Sequence, residues 1–160
     1  MSPLSLSVYT VFLFLSRCPG PRYLVDGNGR AHCGPHIAVS TGQTVVGEMA
    51  NVGNNTWKVT AIAVGQNGGA NQTSTYTGAL GNVTIDAAYL TLEGMVIYSC
   101  QAYPAGGGTK FRDIVLETAT GPSRGALQWT PELRHTDCGQ KVTVNSPSGD
   151  AVTLVYNSTL

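Results

Sequence analysis

The chain predicts an all-β protein, built as an antiparallel β-sandwich, and three observations carry that prediction. Glycine (20 residues) and threonine (18 residues) are abundant. Thr packs well on a pleated surface and Gly serves tight turns. Short segments of alternating apolar and polar residues recur about every ten residues, the spacing of a sandwich or barrel. No segment carries a convincing amphipathic-helix pattern, so two packed antiparallel sheets are the economical architecture. A mass of 16.7 kDa over 160 residues fits one domain with a core of its own.

The elements follow in order. Residues 37–40 and 44–49 are expected to pair around Thr41, Gly42 and Gln43. Residues 57–64 form the clearest strand, with Trp57, Val59, Ala61 and Ala63 on one face and Lys58 and Thr60 on the other. A hairpin loop over 66–71 has Asn67-Gly68 as its turn signal, and 73–80 return. In the strand expected over 89–95, Leu90 and Leu92 share one face; Tyr89, Thr91 and Glu93 share the other. The Pro- and Gly-rich stretch 103–108 is a loop. Residues 111–118 alternate again, with Ile114 and Leu116 inward. Strands over 126–129, 140–144 and 151–156 complete the set. Val152, Leu154 and Tyr156 share a face of the last, and 145–150 is the turn before it.

Nine Lys and Arg balance nine Asp and Glu, so the formal net charge is zero. That argues against a nucleic-acid binder, which needs a basic face to displace counterions. No Gly-x-Gly-x-x-Gly follows a strand and no Walker motif is present, so no cofactor is expected. No segment has the length of a membrane-spanning helix. Residues 1–20 form an apolar amino-terminal segment, and 21–160 a single sandwich domain. Within the first, 4–16 has the length of a signal-peptide core, without a preceding Lys or Arg and without a small-residue cleavage site. A β-strand and a misread gene start are the alternatives.

Four Asn-x-Ser/Thr sequons begin at Asn54, Asn71, Asn82 and Asn157, and most lie near expected turns. They point to N-glycosylation in a secretory pathway; chance in a Thr-rich β protein is the alternative. The cysteines are Cys18, Cys33, Cys100 and Cys138, with no C-x-x-C pair, which argues against a zinc ribbon or a thioredoxin-type site. Four cysteines allow three pairings. A Cys100–Cys138 bridge is favoured, since both sit at strand-to-loop junctions; buried thiols are the alternative.

Four constellations could carry chemistry. Gly121-Pro122-Ser123-Arg124-Gly125 matches the nucleophile-elbow pattern, which works only between a parallel strand and a helix; a turn is the expectation here. His32-Cys33-Gly34-Pro35-His36 holds two imidazoles and a thiol, but Gly-Pro interrupts it and no fourth ligand is in sight, so no metal site is expected. Glycoside hydrolysis needs two carboxylates across a cleft, and only Asp113 or Glu117 could face Glu93. Aromatics on a polar sheet face can stack on sugar rings. Trp57 and Trp129 are expected in the core; Tyr103 lies in a loop; Tyr89 alone has polar same-face neighbours, Thr91 and Glu93.

Several motifs, in order and spacing, support a resemblance. They are Tyr23-Leu24-Val25-Asp26-Gly27-Asn28-Gly29, the run from Val39 to Met49, and the run from Leu92 to Pro104 with its Cys100-Gln101-Ala102-Tyr103-Pro104 end. Trp129-Thr130-Pro131 and Thr136-Asp137-Cys138-Gly139-Gln140 follow. Over about residues 22–156 the chain resembles small secreted proteins of filamentous fungi. These look like distant relatives of the fungal glutamic peptidases (eqolisins), which are concanavalin-like sandwiches. The resemblance implies a curved sheet with a concave, solvent-facing groove. It places Tyr89 where those peptidases carry their catalytic Glu, and Glu93 at a second, non-catalytic Glu. Their catalytic Gln would come from a strand before Tyr23, and none is recognisable, so the resemblance implies a sandwich incomplete at its amino terminus. The expectation is a secreted, glycosylated, non-catalytic protein binding a polysaccharide or peptide through Tyr89, Thr91 and Glu93. An acid peptidase centred on Glu93 and a structural remnant are the alternatives.

Overall fold

A computed structural model describes residues 23–25, 31–40, 42–79, 88–90, 98–103, 105–118, 121–123, 125–133 and 136–159. Among these the fold is all-β, and every strand pair is antiparallel. In chain order the strands are β1 (Tyr23–Val25), β2 (Ala31–Cys33), β3 (Val45–Gly53), β4 (Thr56–Ala63) and β5 (Gln72–Ala79). After a 3-10 turn (Cys100–Ala102) come β6 (Gly108–Phe111), β7 (Glu117–Thr118), β8 (Gly121–Pro122), β9 (Lys141–Val144) and β10 (Val152–Val155). There are two three-stranded sheets, ordered β3-β4-β5 and β6-β10-β9, and two small ribbons, β1-β2 and β7-β8.

The first sheet is an uninterrupted meander set by its turns. Asn54 and Asn55 both adopt left-handed backbone (φ 48° and 53°), the twist that a two-residue hairpin loop requires, and they reverse β3 into β4. Asn67 and Gly68 do the same inside the longer β4–β5 connection, where the Gly69 N–H donates to the Gln66 carbonyl. The expected pairing of 37–40 with 44–49 does not form: β3 pairs with β4, Val45 opposite Ala63. Residues 37–40 are not strand, because Ile37 is buried against Ala61 and Ala63 instead of lying in a ladder.

The inner face of β4 is as its alternation predicts, with Trp57, Ala61 and Ala63 buried and Lys58 exposed. Trp57 retains 2% exposure and packs against Met49, Val59, Tyr76, Ala88, Leu90 and Leu116. Farther along that face the residues are small. Ser74 is buried and donates to the Pro35 carbonyl at 2.6 Å, and a Cβ on Gly34 would meet Ser74 Oγ at 2.7 Å. Backbone at 34–37 thus lies directly on the sheet. The opposite face is polar, with Thr73, Thr75 and Thr77 exposed on β5. In its middle, Thr60 Oγ1 is sealed from solvent and has no hydrogen-bond partner.

The second sheet buries Phe111, Ile114 and Val152, with Leu90, Leu127, Trp129, Val142 and Leu154 packed around them. Val152 and Tyr156 are buried and Leu154 is half-buried on the same face, as predicted. The strand expected over 111–118 is broken: β6 ends at Phe111, and Asp113 takes left-handed backbone (φ 56°), which no ladder accommodates. Ile114 and Leu116 still turn inward, Ile114 to the second sheet and Leu116 to Trp57. Residues 126–129, expected as a strand, join no strand pair; the Leu127 N–H donates to the Ser148 carbonyl, and Trp129 Nε1 to the Gly149 carbonyl at 2.7 Å. The turn they lean on is self-braced, since Asp150 Oδ1 accepts from Ser146 Oγ at 2.5 Å and from Ser148 Oγ at 2.7 Å. The expected strand over 89–95 lies mostly outside the described residues; 88–90 are not strand. Residues 1–20 are outside them too.

Two outcomes follow from this packing. A buried unpaired hydroxyl costs roughly 1–3 kcal/mol, so Thr60→Val should raise stability by about 1 kcal/mol in urea unfolding. The Ser146 and then the Ser148 hydroxyl hold the Asp150 carboxyl below its ordinary pKa of 3.8. A depressed folded-state pKa contributes stability above the unfolded value and loses it as pH falls through the folded one. The gap in Tm between the parent chain and Asp150→Asn should therefore narrow as pH falls below the ordinary value of 3.8.

Candidate functional site

Tyr89 is the outward side chain of a short anchored stretch. The residue is 68% exposed, while Ala88 and Leu90 on either side are half-buried against the core. Leu90 touches both the Trp57 cluster and the Phe111–Val152 cluster. Half-buried neighbours packed on the core hold the backbone from which the tyrosine projects, the arrangement a stacking platform needs. Thr91 and Glu93, expected beside it, lie outside the described residues. A second exposed aromatic, Tyr98 at 90%, stands just before the 3-10 turn. The alternation pattern gave no reason to single it out, because it falls beyond the strand expected over 89–95.

The other aromatics weighed as sugar contacts are engaged in structure. Trp57 is buried, with its Nε1 donating to Asn55 Oδ1 at 3.3 Å. Trp129 is half-buried and bonded to Gly149. Tyr103 stacks on Tyr156, with ring centroids 4.7 Å apart.

That stack belongs to a clamp assembled from two of the sequence motifs. Cys100 and Cys138 form the expected disulfide, with Cα atoms 5.3 Å apart. Gln140 spans it: Oε1 accepts from the Cys138 N–H and Nε2 donates to Tyr103 Oη, both at 2.9 Å. Tyr156 Oη lies 3.2 Å from Thr109 Oγ1, and the Asn157 N–H donates to the Cys138 carbonyl at 2.7 Å. The Cys-Gln-Ala-Tyr and Asp-Cys-Gly-Gln segments therefore serve one structural corner. The strand-to-loop positions of the two cysteines predict the bridge, whereas nothing in the sequence marks Gln140, since an amide two residues from a cysteine has no distinctive pattern.

The remaining motifs separate in space or in secondary structure. Gly121-Pro122 is strand β8, paired with β7, and the Ser123 N–H donates to the Leu116 carbonyl. An antiparallel ribbon with a left-handed Gly121 (φ 109°) is no strand-to-helix elbow. His32 lies on β2 and stacks on Tyr76 at 5.5 Å, whereas His36 is exposed beyond Gly34-Pro35. Among the described residues no three His, Cys, Asp or Glu side chains group closely enough to hold a metal ion. Asp113 and Glu117 are exposed, and their supposed partner Glu93 lies outside the described residues.

Three of the four sequon asparagines are described, and Asn82 is not. Asn54 is exposed at the β3–β4 turn. Asn71 is exposed before β5, with its Oδ1 accepting from the Gly65 N–H at 2.8 Å. Asn157 is half-buried, and its Oδ1 accepts from both the Thr159 N–H and Thr159 Oγ1 at 2.8 Å.

The disulfide spans 38 residues, a loop whose closure entropy is worth about 4 kcal/mol at 25 °C. Cys100→Ser with Cys138→Ser should lower urea-unfolding stability by about that amount or less, and a reducing agent should shift the parent chain equally. Among the described residues no helix is long and apolar enough to cross a membrane. Comparison with known proteins finds no matching family model, no matching curated protein and no matching solved structure.

Proposed function

We propose that this is a secreted, N-glycosylated, non-catalytic β-sandwich that binds polysaccharide through the face presenting Tyr89. One observation carries the reading: a tyrosine 68% exposed, between Ala88 and Leu90 that pack on the core. Such a ring offers an apolar face for a sugar at little conformational cost, because its position is already fixed. The disulfide supports an oxidising compartment. Exposed Asn54 and Asn71 are accessible acceptors for glycans. Thr91 and Glu93 are proposed as the polar neighbours that hydrogen-bond sugar hydroxyls, by their alternation with Tyr89 in the sequence. A peptide is the other ligand class such a face would take.

The test is retention of the secreted protein on insoluble glucan and chitin, and in gels cast with soluble glucans. Tyr89→Ala should weaken binding about tenfold, the equivalent of one lost stacking contact near 1.4 kcal/mol, with unfolding unchanged. Equal retention of parent and variant would overturn the reading.

A further inference from the structure

We propose that the outer face of the β6-β10-β9 sheet docks an acidic polysaccharide, a linear chain with a carboxylate on each sugar ring. Phe111, Val152 and Leu154 mark the inner face of this sheet, since they pack in its hydrophobic cluster. Alternation then places Lys110, Thr153, Val155, Lys141 and Thr143 on the outer face. Arg112 continues that side one residue beyond the end of β6. Lys110, Arg112, Lys141 and Thr143 are all exposed.

Charge singles this face out. The chain as a whole has a formal net charge of zero. Yet of the four Lys and Arg among the described residues, three (Lys110, Arg112 and Lys141) lie here, and Lys58 on β4 is the fourth. None of the outward positions of β6, β10 and β9 is Asp or Glu. The nearest carboxylate along the chain, Asp113, follows Arg112 where the backbone turns left-handed. That of Asp150 is engaged by Ser146 and Ser148. Like charges gathered on one face give it a local positive potential that the net charge conceals.

The geometry selects the ligand. Lys110 is opposite Thr153 and Lys141 opposite Val155, on the two sides of β10. Strand spacing and rise put the two lysine Cα atoms about 12 Å apart, and those of Lys110 and Arg112 about 7 Å apart. The cations thus form a diagonal band across three strands. Thr153 and Thr143 complete the row that Lys110 begins, and they bring hydroxyls suited to a sugar chain; Thr153 Oγ1 donates to Asn145 Oδ1 at 2.6 Å. Three cations so widely spaced suit a polymer with one charge per ring. They match duplex DNA poorly, with its charge every ~1.7 Å of axis. The outward positions include no aromatic ring on which bases could stack.

Retardation of the full chain in gels cast with polygalacturonate, against gels without polymer, tests this at low salt. The expected result is clear retardation that added salt abolishes. Lys110→Gln with Lys141→Gln should weaken it about fivefold with unfolding unchanged, as expected for two exposed ion pairs. Lys58→Gln, an equal change of charge per residue on the other sheet, should leave it as in the parent. Tyr89→Ala should leave it unchanged too, so this surface and the stacking surface stand or fall separately. No retardation by polygalacturonate overturns the proposal. So does an equal loss from Lys58→Gln and Lys141→Gln, since the effect is then one of general charge. Retention by duplex DNA, dextran sulfate or anionic vesicles without retention by polygalacturonate overturns it as well, and assigns the band to that other polyanion.

Discussion

Leu90 touches both hydrophobic cores, and the architecture turns on that contact. Each main sheet has three strands, a size that folds only if its apolar face is covered. Trp57 and its neighbours supply one such face; Phe111, Ile114 and Val152 supply the other. Leu90 lies where the two meet, and Leu116 brings the chain leaving the second cluster back to Trp57. On the same stretch Ala88 and Leu90 pack on the core while Tyr89 between them is exposed. Core packing and the candidate binding residue are two sides of one short stretch.

The strands legible in the sequence are those whose local signals agree. For β4 and β5, alternation, threonine content and an Asn-Gly turn all point the same way, and β9 and β10 flank an unmistakable turn. Where the reading failed, one residue overrode the pattern. Ile37 is apolar and sits in strand-like company, yet it is buried by a non-strand segment laid on small residues. Asp113 breaks an alternating run by turning left-handed, a state that Asp tolerates and that periodicity does not register. Residues 126–129 spend their hydrogen bonds on a turn, not on a neighbouring strand. The Asn54-Asn55 turn lacks the Asn-Gly signal, so its left-handed geometry is not legible in the sequence.

The candidate site was half legible for the same reason. A cysteine pair has few possible partners, so Cys100 and Cys138 could be matched, whereas Gln140 acts through a side chain that reaches Tyr103 across 37 residues. Tyr89 stood out because its sequence neighbours are polar on one face and apolar on the other. Low charge frames all of this. With 11% charged residues, the exposed surface relies on Thr hydroxyls, which can hydrogen-bond a sugar or a strand without the heavy desolvation of an ion.

The disulfide has a consequence for survival among proteases. The segment it closes, from Cys100 to Cys138, contains Phe111, Ile114, Leu116, Leu127 and Trp129, which serve both cores. It also contains exposed stretches at 105–107 and 130–133, the kind of backbone at which digestion begins. A single cut there would sever the chain but not release a fragment, because both new ends remain tied through Cys100 and Cys138. The nicked molecule would keep its mass until reduced, and its core residues would remain within reach of one another.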